Sequence, residues 1–259
     1  MKASILVVGG AGYIGSHMAK MLVQSGHEVI VLDNLSTGYR EAARYGRLMK
    51  GDLADQALLD RIFAENNIAA VMHFAALSQV GESVREPARY YRNNVTNTQN
   101  LLDAMLRYQV KRFIFSSTAA IFGEPETPLI DEQHLQRPIN PYGRGKRMVE
   151  EMLSDYDSAY GLRYFNTAGA DPEGELGDVT ERRAGDPAVL VADSHKVRRE
   201  LRWKPRFEDL GTIVEHAWEW GSESMARFGE VRSLLIIQAG KQNNNSVVNV
   251  SPYRGGKNP

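Results

Sequence analysis

Cysteine is absent from this 259-residue chain. That excludes disulfides, thiolate-bound zinc, iron–sulfur clusters and a thiol nucleophile. A charge excess is also missing: 31 Lys and Arg stand against 32 Asp and Glu, for a formal net charge of −1. Such a balance argues against nucleic acid or an anionic membrane surface as the main partner. No apolar run approaches the ~20 residues of a membrane-spanning helix. The opening residues carry one Lys and a short apolar run that breaks at Gly9, which reads as a strand and not as a secretory signal. His195 and His216 stand apart from any acid at ligand spacing, and His27-Glu28 forms no metal motif, so no metal site is expected. Lack of cysteine and of a spanning segment suits a cytoplasmic location.

Apolar runs and helical stretches alternate through the first two thirds of the chain. Ser4–Val8 is a continuous apolar run bounded by glycine, as suits a strand buried on both faces. A helix is expected over Tyr13–Gln24, then strands at Glu28–Leu32 and Arg47–Lys50. A helix at Asp55–Asn66, a strand at Ala69–Ala75 and a long helix at Pro87–Tyr108 follow. The series continues with a strand at Arg112–Ser116 and a helix from Tyr142 to about Tyr160. This rhythm predicts an α/β protein with a Rossmann-like, doubly wound parallel sheet. Residues 1–169 form the expected nucleotide-binding domain. Beyond Gly169 the rhythm fails. Residues 170–220 read as a shortened C-terminal lobe with a helix at Leu210–Trp220. Residues 221–259 read as a poorly ordered tail in which only Ser233–Ile237 looks structured.

Gly9-Gly10-Ala11-Gly12-Tyr13-Ile14-Gly15 lies between the first strand and the first helix. Missing side chains let such a turn approach a pyrophosphate, and the helix N-terminus adds free N–H groups and partial positive charge. Asp33 lies 18 residues after Gly15, at the end of the second strand, where a carboxylate accepts bonds from a ribose diol. The same carboxylate repels a 2′-phosphate, so NAD is favoured over NADP. Asp52 follows the third strand and is placed to meet the adenine edge. Tyr142 and Lys146 are four residues apart, one helical turn on one face. A free phenol titrates near ~10. A neighbouring Lys cation favours the phenolate, which can then take a hydroxyl proton while hydride leaves the same carbon. Upstream, Ser116-Ser117-Thr118 ends a strand, and the Thr118 hydroxyl is placed to share the substrate hydroxyl with Tyr142. His73, on a strand, reads as a packed core histidine.

Several stretches together resemble the extended short-chain dehydrogenase/reductase superfamily and, within it, the UDP-glucose 4-epimerase (UDP-galactose 4-epimerase) family. They are GGAGYIGSH at 9–17, LDNLSTG at 32–38, HFAALSQVGESV at 73–84, YYRNNVTNT at 90–98, FIFSSTAAIFG at 113–123, NPYGRGK at 140–146 and RYFNTAGADPEGELG at 163–177. The resemblance implies inversion of C4 of a UDP-hexose through a 4-keto intermediate, with tightly held NAD. Thr118, Tyr142 and Lys146 would be the catalytic set. Gly9, Gly12, Tyr13, Ile14, Gly15, Asp33, Asn34, Asp52, Leu53, Phe74, Ala75, Asn93, Ser116, Tyr142, Lys146 and Phe165 would hold the cofactor. Thr118, Asn166, Arg183 and Asp186 would meet the substrate. A homodimer built on the two long helices is implied as well. Related 4,6-dehydratases carry Asp and Glu directly after the Thr, where this chain has Ala119 and Ala120, which cannot move a proton.

Two departures stand out against that family. Several strands and helices expected between Gly177 and Val179 are replaced by Asp178 alone, and Gly161 runs almost directly into RYFN. Most of the cofactor half is retained and much of the substrate half is missing. The alternatives are therefore a non-catalytic NAD-binding remnant and a nucleotide-sugar reductase.

Overall fold

A computed structural model describes residues 3–127, 130, 133–156, 235–242 and 245–252. Its larger unit is a five-stranded parallel sheet in the order β3-β2-β1-β4-β5. The strands are β1 (Ser4–Val8), β2 (Glu28–Asp33), β3 (Arg47–Lys50), β4 (Ile68–His73) and β5 (Phe113–Phe115). Helices α1 (Tyr13–Gln24), α2 (Gln56–Glu65), α3 (Val80–Arg85), α4 (Pro87–Tyr91), α5 (Asn97–Arg107) and α6 (Pro141–Tyr156) connect or follow them. The sheet runs outward in both directions from the β1/β4 pair. That reversal is the topological switch point, where open α/β sheets bind ligands beyond the strand C-termini.

Side chains alternate along each strand, so each supplies both faces. Leu6, Val8, Ile30, Leu32, Val71, Phe113 and Phe115 pack with Leu58, Leu59, Ile62 and Phe63 of α2, Leu101 and Met105 of α5, and Val149 and Leu153 of α6. Val7, Val29 and Val31 face the other way, onto Ala19 of α1 and Ala43. The Asp55 carboxylate caps α2 by accepting from Leu58 N–H at 2.9 Å. Pro141 opens α6, where a missing N–H is harmless.

The expected strands and the first two helices stand where the residue pattern puts them, within one or two residues at their ends. Three features differ. The single long helix expected over 87–108 is interrupted: a π turn at Arg92–Thr96 separates α4 from α5. The short helix α3 occupies a stretch for which no helix was expected. In the tail, β6 (Leu235–Gln242) pairs antiparallel with β7 (Asn245–Pro252), a wider ordered stretch than Ser233–Ile237 alone. The helix expected at Leu210–Trp220 and the lobe over 170–220 lie outside the described residues.

Leu59 is fully buried between α2 and the sheet, whereas Met21 on α1 is exposed. Leu59→Ala is expected to cost about 2–5 kcal/mol in urea unfolding. Met21→Ala should stay within about 0.5 kcal/mol of the parent. Equal losses in the two variants would contradict this layering.

Candidate active site

The glycine turn sits on the switch point. Gly9 follows β1 with a φ of +79°, and a Cβ there would lie 2.5 Å from Ala75 N. Phe74 and Ala75 follow β4, and both of their N–H groups point to the Val8 carbonyl, at 2.8 and 3.1 Å. A Cβ on Gly15 would meet the Gly9 carbonyl oxygen at 2.2 Å. Both glycines are therefore demanded by the protein's own packing.

Gly12 is different. Its φ is −84°, open to any residue, and its Cβ would find only the Gly9 carbonyl oxygen, at 3.4 Å. It caps α1 with no side-chain hydrogen bond, and the first turn holds no acid. Tyr13 and Ile14 form that turn. The N-terminus of α1 thus keeps its partial positive charge beside a cradle that a side chain would narrow. This arrangement fits the diphosphate of a dinucleotide.

Asp33 stands across the turn. Its Oδ2 accepts from Ala11 N–H at 2.9 Å and its Oδ1 from Leu35 N–H at 2.8 Å. Each oxygen has a second lone pair, so the carboxylate can brace the loop and still accept from a ribose. Asn34 donates through Nδ2 to Asp52 Oδ2 at 2.6 Å, and Asp52 Oδ1 also accepts from Ala54 N–H at 2.9 Å. The Leu53 side chain turns into the core.

The second half of the site lies at the ends of β5 and α6. Tyr142 and Lys146 are both buried. Tyr142 packs with Val80, Tyr90, Ala120 and Leu77. Lys146 donates through Nζ to the Ser116 carbonyl at 2.7 Å and lies 4.6 Å from the centre of the Phe115 ring. Burial lowers its pKa from 10.5 to about 7, while the charge of Glu150 pulls the other way. Thr118 caps a short 3₁₀ turn, Ala119–Ile121, by accepting from Ala120 N–H at 3.2 Å. The Ser117 hydroxyl is buried with no partner among the described residues. Asn93 donates through Nδ2 to Asn94 Oδ1 at 2.9 Å. Phe165, Asn166, Arg183 and Asp186 lie outside the described residues.

Residues 5–202 match the model of the "NAD dependent epimerase/dehydratase family". The chain belongs to that family. A UDP-glucose 4-epimerase of Rhizobium meliloti is 49% identical, aligned over 85% of this chain and 97% of its own length. That alignment runs over 319 positions against the 259 residues here, so part of the relative has no counterpart in this chain. The crystal structure of UDP-glucose 4-epimerase from Brucella ovis in complex with NAD superposes with a TM-score of 0.77 at 34% identity, covering 85% of this chain and 99% of that one. The UDP-glucose complex of the Thermotoga maritima UDP-glucose 4-epimerase gives a TM-score of 0.75 at 28% identity, covering 86% and 99%.

One group of this family member, Asn94, escapes a motif reading, and His73 is the packed core histidine expected on its strand. Asn94 is buried beside Asn93, and His73 is buried on β4. His73 Nε2 is 2.9 Å from Thr98 Oγ1, and its Nδ1 has no partner among the described residues. Burial, and then the charge of Lys146, lower its pKa from 6.5 to about 3. The signal for Asn94 was its type: two adjacent asparagines inside an expected helix are poor helix formers. Among the described residues, no group of His, Asp and Glu can hold a metal ion, and no helix is long and apolar enough to cross a membrane.

His73 and Lys146 act on stability in the same direction. Below pH 6.5 the unfolded chain protonates His73, but the folded chain does so only near 3. Between about 7 and 10.5 the unfolded chain keeps the Lys146 proton that the folded chain releases. In both windows the unfolded state binds more protons, so stability rises with pH. Urea unfolding is expected to show that rise from pH 7 to 9.5 in the parent and a flatter profile in Lys146→Met. Parallel profiles would assign the rise to other groups.

Proposed function

We propose that this chain is an NAD-dependent 4-epimerase that inverts C4 of a UDP-hexose, interconverting UDP-glucose and UDP-galactose. One observation carries the reading: a buried Tyr142–Lys146 pair on α6, with Lys146 bonded to Ser116, two residues before Thr118. Bound NAD supplies reversible two-electron oxidation of C4. Gly12 and the N-terminus of α1 receive its diphosphate, and Asp33 its adenosine ribose. Asp52 and Asn34 border the adenine end, and Phe74, Ala75, Asn93, Ser116 and Phe165 complete the binding surface.

The protein's part in the reaction is proton transfer and orientation. The Lys146 ammonium lowers the cost of a phenolate on Tyr142. Tyr142 takes the proton of the 4-hydroxyl, and Thr118 orients that hydroxyl. The sugar becomes a 4-ketone, turns over, and regains its proton from Tyr142 at the C4 oxygen. Asn166 contacts the sugar, and Arg183 and Asp186 hold the UDP portion. An always-charged planar guanidinium suits a diphosphate. Dehydration would need an acid and a base beside Thr118. Ala119 and Ala120, both buried, supply neither. In this reading residues 1–169 carry the cofactor, 170–220 form a shortened sugar lobe, and the enzyme works as a cytoplasmic homodimer.

Proton NMR of UDP-galactose with the purified chain and no added NAD is expected to show UDP-glucose. Tyr142→Phe should lower kcat by about 10²–10⁴ while retaining NAD, the usual scale for losing a general base. Gly12→Ala should leave the unfolding midpoint unchanged and release NAD. A folded, NAD-loaded chain with no conversion would favour the binding-remnant alternative. Net consumption of added NADH would favour a reductase.

A further inference from the structure

We propose that Glu150 is a positioning residue, a buried carboxylate that balances the Lys146 ammonium and so preserves the charge on which the Tyr142 phenolate depends. The proposal rests on the Tyr142–Lys146 reading above.

Helix α6 carries three polar groups along one stripe. Tyr142, Lys146 and Glu150 follow one another at four-residue steps, so each lies one turn from the next. They are 7%, 3% and 7% exposed. Val149 and Leu153, on the same helix, belong to the main apolar core. A carboxylate is costly in such surroundings unless it answers another charge.

Glu150 is held from outside the helix. Its Oε2 accepts from Gln136 Nε2 at 3.0 Å. The Gln136 carbonyl accepts from Arg147 Nη1 at 2.9 Å, and Arg147 Nε donates to Glu151 Oε1 at 2.8 Å. Gln136 is thus fastened to α6 by its backbone as well as by its side chain. An amide donates to a carboxylate without neutralising it. The anchor therefore fixes a negative charge one turn from Lys146.

Lys146 has use for such a neighbour. Two of its contacts, the Ser116 carbonyl and the Phe115 ring, are neutral groups. They orient the ammonium but bring no opposing charge. Burial works against the ammonium, and the charge of Glu150 works for it. Charges on the neighbouring elements are engaged elsewhere or face water. His73, on β4, is neutral in the working range. Glu82 of α3 accepts from Tyr90 and Arg89. On α5, Asp103 accepts from Tyr156 and Arg107 pairs with Asp60. In the loop before α6, Arg137 pairs with Glu126 and His134 meets Thr127. Arg85, Arg89, Arg92 and Arg144 are exposed.

The test compares two variants of the full chain. Glu150→Gln keeps the shape and can still accept from Gln136, whereas Glu150→Asp keeps the charge. With NAD added, kcat and KM for UDP-galactose are read from pH 5.5 to 9. The Lys146 titration is followed separately by carbon NMR of labelled lysine Cε, assigned by its loss in Lys146→Met. Removing a negative charge disfavours the ammonium, so Glu150→Gln should move that titration down by about one pH unit. The alkaline fall in kcat should move with it. At pH 8.5 kcat should then drop about tenfold, approaching the parent value at pH 5.5, with KM changed less than about twofold. Glu150→Asp should stay within about half a unit of the parent. A loss in Glu150→Gln that is the same at every pH would make Glu150 merely structural and overturn the proposal. An unmoved Lys146 titration, or equal shifts in the Gln and Asp variants, would overturn it too. Should Glu150→Gln fail to fold, Glu150→Met, apolar and of similar length, is read in the same way. Should the parent bind NAD without turning over UDP-galactose, the epimerase reading fails while the Lys146 titration across the variants still tests the charge balance.

Discussion

The bond from Lys146 Nζ to the Ser116 carbonyl, 2.7 Å long, ties α6 to the end of β5. Everything proposed for the chemistry depends on it. Tyr142 lies one turn away on the same helix, and Thr118 two residues along from the accepting carbonyl. A buried ammonium without acceptors costs several kcal/mol. Any slide of α6 along the strand would break this contact and incur that cost. The Phe115 ring beneath the ammonium and Glu150 one turn further along α6 offset part of the burial. The helix is thus held in register by the residue proposed to tune the phenol.

The glycine turn shows the complementary case, in which an empty position matters as much as a filled one. In sequence Gly9, Gly12 and Gly15 are equivalent members of a motif. In the structure two of them are consumed by the backbone contacts of β1, β4 and α1. Only Gly12 leaves space facing outward. The turn therefore separates into a part that makes the fold and a part that admits a ligand.

Strands and the first helices were legible because their signals are local: apolar runs bounded by glycine, alternating with helical stretches. The Tyr142–Lys146 pair was legible for the same reason, since four-residue spacing is a helix property. Tertiary bonds were not. The adjacent asparagines hint at a weak point in the helix, but the bond from Asn94 to Leu77, 17 residues earlier, shows only in the structure. The short helix α3 has no side-chain cap and only six residues, too few for periodicity to register. The break between α4 and α5 left no proline or glycine to mark it, because a π turn is made by an extra residue and not by a breaker. The alignment with the epimerase relative is longer than this chain, so the relative carries residues that this chain lacks.

That extra residue has a consequence for how this segment tolerates change in length. Each residue advances a helix by about 100°. A π turn takes up one residue more than an α turn over nearly the same rotation, so α5 keeps the phase set by α4. Deleting one residue between Arg92 and Thr96 would restore plain α geometry with Thr98, Leu101, Leu102 and Met105 still facing the sheet, and would remove only the widened turn at Asn93 and Asn94. Surface loops accept insertions and deletions readily. Here a buried helix can change length by one residue without rephasing the core, because the wide turn takes up the difference.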